Sequence, residues 1–260
     1  MSDLKLGVQQ VAFVIVGFRR NARAMTLTVA MPIVLLVLFN SIFGGSQTTT
    51  ALPSGARLGL HAYFTAGIIA YSIMLTGFSS LLVSITTARE AGRLKRYRGT
   101  PLPSWVFLSA QIVANIVVIA VMVAALLLIG RLAYGISIPT GSFGPFVAYV
   151  LVGTATMCAL GIALSRFTTT PDAAAALGPF TTVILGFISG TFVPVSTLPD
   201  WLRQLGRVFP LAHLAQGLQT SMLTHGGHFD ATNLIVLAAW FAGGLIVAVR
   251  RFAWEPLAVA

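Results

Sequence analysis

Six charged side chains crowd positions 89–98 of this sequence: Arg89, Glu90, Arg93, Lys95, Arg96 and Arg98. On one helix, Arg89, Arg93 and Arg96 share a face by their i, i+4, i+7 spacing, and Glu90 reaches Arg93 at i+3. Pro101 and Pro103 end such a helix and turn the chain away. Five cations with one acid suit two tasks. One is to hold anionic lipid head groups. The other is to dock a cytoplasmic partner on a short, stiff, charged helix. A second basic group, Arg19, Arg20 and Arg23, follows an apolar stretch at 11–18. Its expected task is to hold lipid phosphates, with a second patch for the partner as the alternative.

Other chemistry is excluded by what is missing. No H-E-x-x-H pair and no G-x-x-x-x-G-K-[ST] loop occurs, and the lysines are Lys5 and Lys95 alone, neither preceded by glycine. Cys158 is the one cysteine, which rules out an internal disulfide or a cysteine metal cluster. His61, His213, His225 and His228 all fall at or beyond the outer ends of the apolar stretches. No catalytic set and no metal site is expected. The absence of charges within those stretches argues against proton coupling and intramembrane proteolysis. If transport by this chain is active, the ATPase is another chain.

The elements that must carry these residues follow from composition. Of 260 residues, 57% are hydrophobic and 8% charged, with 16 Lys/Arg and 6 Asp/Glu; mean hydropathy is +0.90. Soluble domains carry roughly 25% charge, so a soluble enzyme and a disordered chain are both excluded. Long continuous apolar runs, rather than ten-residue alternations, exclude a transmembrane barrel. The expected fold is an all-α integral membrane protein, one domain over 1–260, with six spans at about 25–43, 62–87, 105–129, 145–165, 173–190 and 232–249. The run at 11–18 is about 12 Å long as helix, too short for a hydrocarbon core of about 30 Å. It is read as an interfacial helix on the cytoplasmic leaflet, within 1–23.

Charge sets the orientation. With the N-terminus inside, the inner segments hold Lys5, Arg19, Arg20, Arg23, Arg89, Arg93, Lys95, Arg96, Arg98, Arg166, Arg250 and Arg251. The outer segments hold only Arg57, Arg131, Arg203 and Arg207. Six spans with both termini cytoplasmic satisfy this bias. The same rule accounts for the net charge of +10, so nucleic acid is not an expected partner. Hydroxyls within the spans are expected to bond backbone or neighbouring helices. Gly186 and Gly190 form a small-xxx-small pair that permits close helix packing.

Two stretches resemble a known family. Arg89-Glu90-Ala91-Gly92-Arg93-Leu94-Lys95-Arg96-Tyr97-Arg98-Gly99-Thr100-Pro101-Leu102 is similar to the loop before span 3 of type-2 ABC exporter permeases, with Arg93 where a small or polar residue is common. Ser189-Gly190-Thr191-Phe192-Val193-Pro194, then Leu198-Pro199-Asp200-Trp201-Leu202 and Phe209-Pro210-Leu211, resembles the outer end of span 5 in the same family. Size and this second region look most like the daunorubicin-resistance type.

The resemblance implies a coupling helix built from Arg89, Glu90, Arg93, Lys95 and Arg96 and seated on a cytoplasmic ABC ATPase. It also implies short re-entrant or interfacial helices between spans 5 and 6, with Trp201, Leu202, Leu205, Val208 and Phe209 on one apolar face. The assembly implied is two permease chains, identical or homologous, and two ATPase chains in the cytoplasmic membrane. ATP and Mg are then bound by the ATPase, and this chain holds no cofactor. A pathway without intramembrane charge suits a lipophilic drug, a lipid or a lipid-linked compound. Phe39, Phe43, Tyr71, Phe78 and Phe187 are candidates to line it. Alternatives are an ATP-independent channel or carrier and a non-transporting membrane anchor.

Overall fold

In hydrocarbon every backbone N–H and C=O must find its partner within the protein, so continuous apolar sequence folds as helix. The computed structural model describes residues 3–20, 22–43, 49–98, 104–137, 141–223 and 230–250, and helix dominates them. α1 is Asp3–Arg20 and α2 Ala22–Phe43. A small antiparallel hairpin, β1 (Thr49–Ala51) and β2 (Arg57–Gly59), precedes α3 (Leu60–Met74). A π turn at Leu75–Ser80 joins α3 to α4 (Leu81–Glu90), and α5 is Arg93–Arg98. Then come α6 (Ser104–Tyr134), α7 (Phe143–Ser165), α8 (Pro171–Ile188), α9 (Asp200–Gly206), α10 (Pro210–Ser221) and α11 (Ala231–Arg250).

Five stretches are long and apolar enough to cross a membrane: Leu60–Glu90, Trp105–Tyr134, Phe143–Ser165, Pro171–Ile188 and Ala231–Arg250. A shorter apolar stretch, Thr28–Phe43, lies within α2. Leu60–Glu90 is the axis of the bundle, with 78% of its apolar window buried, against 22% in Pro171–Ile188 and Ala231–Arg250. The remaining helices pack around it: α2, α6, α7 and α10 lie on α3, and α7 and α8 on the π turn and α4. α1 runs along α6.

The π turn is where the axis departs from regular helix. One extra residue per turn widens the helix, and Ser80 Oγ donates to the Leu75 carbonyl 3.1 Å away, five residues back. Two neighbours meet this bulge with glycine. A Cβ on Gly161 of α7 would lie 2.6 Å from the Phe78 carbonyl oxygen, and one on Gly178 of α8 would lie 2.6 Å from Ser79 Oγ.

The helices differ from the sequence-based reading at four points. Arg23 belongs to α2 rather than to the N-terminal helix, which ends at Arg20. The polar loop before span 2 contains the β1–β2 hairpin. α6 continues to Tyr134 and takes in Arg131. Between α8 and α11, α9 exposes Trp201, Leu205 and Val208 around its turn, whereas α10 is buried almost throughout against α3, α7 and α11. α8 starts on Thr170, whose side chain accepts from the Ala173 N–H at 3.2 Å, with Pro171 in the first turn.

Candidate functional site

The basic segment does not form one helix. α4 stops at Glu90, Gly92 takes a left-handed φ of 68°, and α5 starts afresh at Arg93. The shared face predicted for Arg89, Arg93 and Arg96 is therefore broken at Gly92. Arg89 turns inward and is 1% exposed. Its Nη1 donates to the Ser165 carbonyl at 2.7 Å, and its Nη2 donates to the Thr168 carbonyl. Ser165 is the last residue of α7, where backbone carbonyls lack helical partners and the helix dipole favours a cation. Arg89 is thus a cap on α7, not a side chain presented at the surface.

The other members of the segment divide. Leu94 is fully buried among Leu81, Ile85, Phe107, Leu108, Ile162 and Ala248, and it anchors α5 beneath α4, α6 and α7. Glu90, Arg93 and Lys95 are exposed, and no ion pair joins Glu90 to Arg93 among the described residues. Arg96 lies in α5, with its side chain outside the described residues. The same holds for Arg19 and Arg20, in the last turn of α1, and for Arg23 in α2. The element is a short basic helix whose one buried leucine joins a cluster shared by α4, α6, α7 and α11, with the preceding turn locked by one arginine.

At the other end of the axis, four of the five predicted pathway aromatics meet. Phe39 stacks on Phe192, with ring centroids 5.4 Å apart and planes 20° apart. Phe192 also contacts Tyr71 at 4.9 Å and Phe187 edge-on at 5.2 Å. Phe43 joins through Phe39 and Phe64, each 5.8 Å away. Phe78 stands apart, buried at the π turn. Phe64 and Phe192 are the hubs, and neither was singled out from sequence as a pathway residue. Phe192 lies in the Ser189–Pro194 stretch whose order carried the resemblance, which was the one available signal.

Tyr63 fixes the turn that carries Phe192. Its hydroxyl donates to the Gly190 carbonyl at 2.6 Å and accepts from the Val195 N–H at 3.2 Å. Gly190 has φ 74°, and a Cβ there would meet Val195. Gly186 packs on the Phe192 ring. The glycine pair thus seats the chain's own turn rather than opening a helix-packing face. His213 of α10 is also structural, with Nδ1 2.7 Å from Asn233 Oδ1 and Nε2 2.8 Å from the Arg207 carbonyl.

Comparison with known proteins gives the family. Residues 11–223 match the ABC-2 type transporter family. A putative transport permease, YvfS of Bacillus subtilis (strain 168), is 24% identical over 223 residues, covering 85% of this chain and 86% of the relative. The daunorubicin resistance ABC transporter permease protein DrrB1 of Streptomyces coeruleorubidus is 23% identical over 218 residues, covering 81% of this chain and 72% of the relative. The matched region runs from α1 through the basic elbow, the aromatic hub and α10, and the chain belongs to the ABC-2 type transporter family as a membrane permease subunit.

Proposed function

We propose that this chain is the permease of an exporter in the cytoplasmic membrane, driven by a separate ABC ATPase that seats on α5. The observation that carries this reading is the construction of the elbow. Leu94 ties α5 into the bundle, Arg89 locks the α4 end to α7, and Arg93 and Lys95 are left outward. A helix held in this way passes a push at its surface to several spans at once. A ligand or partner shifts a conformational equilibrium only through contacts that differ between states, and Arg93 and Lys95 are the side chains offered for such contacts.

In this reading two ATPase chains close on ATP and Mg, and two permease chains, identical or homologous, respond. Both termini are cytoplasmic, and α2 serves as the first of six spans. The cargo class is a lipophilic drug, a lipid or a lipid-linked compound. Its support is the apolar, uncharged character of the spans and the aromatic hub of Phe39, Phe43, Tyr71 and Phe187 around Phe192.

The test is a pull-down of tagged protein from its native membrane in mild detergent, with ATPase activity read on the bound fraction. Wild type is expected to retain a nucleotide-hydrolysing subunit, and an Arg93→Ala/Lys95→Ala variant of normal yield and melting temperature is expected to lose it. Transport by wild-type vesicles with no accompanying ATPase would replace this reading with a self-sufficient carrier.

A further inference from the structure

A cavity of about 650 Å³ lies between α1, the π turn and α4, α5, α6 and the start of α8. It is apart from the aromatic hub and shares only Arg93 with the exposed face of α5. Its walls are unusual for the interior of so apolar a chain. Gln10, Thr76, Ser79, Gln111 and Asn115 line it, and Arg93 stands at its α5 end. No acid is among the described residues that line it.

The π turn supplies Thr76, Ser79 and Ser80 to the polar wall, and α1 and α6 supply its amides. Most span hydroxyls here bond back to their own helix, as Ser72 does to Ile68 and Thr154 to Val150. Thr76 does not. It is 2% exposed, and its Oγ1, like those of Thr65 and Thr86 elsewhere along the axis, has no hydrogen-bond partner among the described residues. A buried hydroxyl without a partner costs free energy that a ligand or water inside the cavity can recover. The α1 wall is mixed, because Gln10 is buried in the bundle while Phe13 on the same helix is 71% exposed. A molecule lying here meets amides and hydroxyls on one side, a guanidinium at one end and apolar surface at the rim.

We propose that this cavity binds the head group of a membrane amphiphile: one negative charge, borne by phosphate and paired with Arg93, with hydroxyls or esters bonded to Thr76, Gln111 and Asn115. Among the described residues that line it, a single cation with no acid sets the charge. The uncharged donors and acceptors set the hydroxyl-bearing chemistry. The apolar rim at Phe13 gives the acyl chains an exit to lipid. This site shares Arg93 with the surface proposed for the ATPase, so it is tested on the permease alone, where its failure and that of the docking are read separately.

The test uses the purified full-length chain, without ATPase, in phosphatidylcholine nanodiscs. These carry a trace of photoactivatable phosphatidylglycerol or of matched photoactivatable phosphatidylcholine. The anionic probe is expected to label peptides of α1, the π turn and α6 in preference to the zwitterionic one. Arg93→Gln is expected to reduce that preference about tenfold, the loss of one charge-assisted hydrogen bond. Thr76→Val, which keeps shape and removes only the hydroxyl, is expected to weaken labelling by both probes. Arg131→Gln, at the far end of α6, is expected to leave it unchanged.

Equal labelling by the two probes, or a preference that survives Arg93→Gln, overturns the proposal. In membrane vesicles holding the native complex, label that falls on ATP addition marks cargo and label that persists marks a resident phospholipid. Both results keep the site.

Discussion

Arg89 Nη1 lies 2.7 Å from the carbonyl oxygen of Ser165, a residue 76 positions later. The same guanidinium also reaches the Thr168 carbonyl. Arg89 therefore joins the end of the central rod to the end of α7, just where the chain turns toward α5. A charged side chain this deeply buried is tolerated because both carbonyls need donors and the helix terminus is electronegative.

Arg89→Ala leaves two carbonyls unsatisfied and is expected to cost about 2–5 kcal/mol, since each lost buried partner is worth about 1–3 kcal/mol. Arg93→Ala, on an exposed side chain, is expected to stay within about 0.5 kcal/mol of wild type. Thermal unfolding of the two variants in detergent separates the roles: a large drop for Arg89 and little change for Arg93. Equal drops would mean that Arg89 is not the cap described.

This division shows where the sequence was readable. Apolar runs of about 20 residues announce spans because the bilayer admits few alternatives, and five helices are long and apolar enough to cross. Helical spacing across 89–96 presumed one helix, and Gly92, at φ 68°, makes it two. That glycine was visible, but its consequence for Arg89 depends on where α7 ends. α10 carries His213, Gln219 and Ser221 and reads as half-polar, yet it is buried: His213 pairs with Asn233, Gln219 Nε2 donates to the Gly190 carbonyl, and Ser221 bonds back to Gly217 in its own helix. The aromatic residues were legible by type. Their convergence on Phe192 was not, because a turn held by Tyr63 brings them together. Thr76 could not be told from Ser72 or Thr154 by sequence, since which span hydroxyls bond back to their own helix is settled only by the packed structure.

Tyr63→Phe keeps the ring, which stands edge-on to Phe64 with centroids 5.8 Å apart, and removes the hydroxyl shared by Gly190 and Val195. The expected cost is about 1–3 kcal/mol, the range for leaving buried backbone groups unpaired. Limited proteolysis should show faster cutting within 189–199 in this variant, with the other loops unchanged. Uniform acceleration at all sites would indicate global destabilisation instead.

Two glycines make a matched pair. Gly161→Ala drives a methyl toward the Phe78 carbonyl, which a Cβ would meet at 2.6 Å. Because that neighbour is backbone, the π turn and α7 must separate, and overpacking of this kind costs about 1–3 kcal/mol. Gly243→Ala in α11 meets nothing within 4 Å and gains helix propensity of about 0.5–1 kcal/mol. Melting temperatures should move in opposite directions.

The aromatic hub gives the last prediction. Phe39 and Phe192 are nearly parallel at 5.4 Å, and Phe192 also touches Tyr71 and Phe187. Within a membrane, helices gain little from hydrophobic burial, and association rests on contacts of this kind. A double-mutant cycle of Phe39→Leu and Phe192→Leu is expected to give a coupling of about 0.5–1.5 kcal/mol, the increment of an aromatic pair beyond its area. The matching cycle of Phe39→Leu and Phe78→Leu, whose rings share no contact, should give a coupling near zero. If the two couplings were equal, the hub would be general packing around the rod. A coupling confined to Phe192 would show that the turn after α8 is bound to α2 through its rings, so that any movement of α8 relative to α2 must first part them.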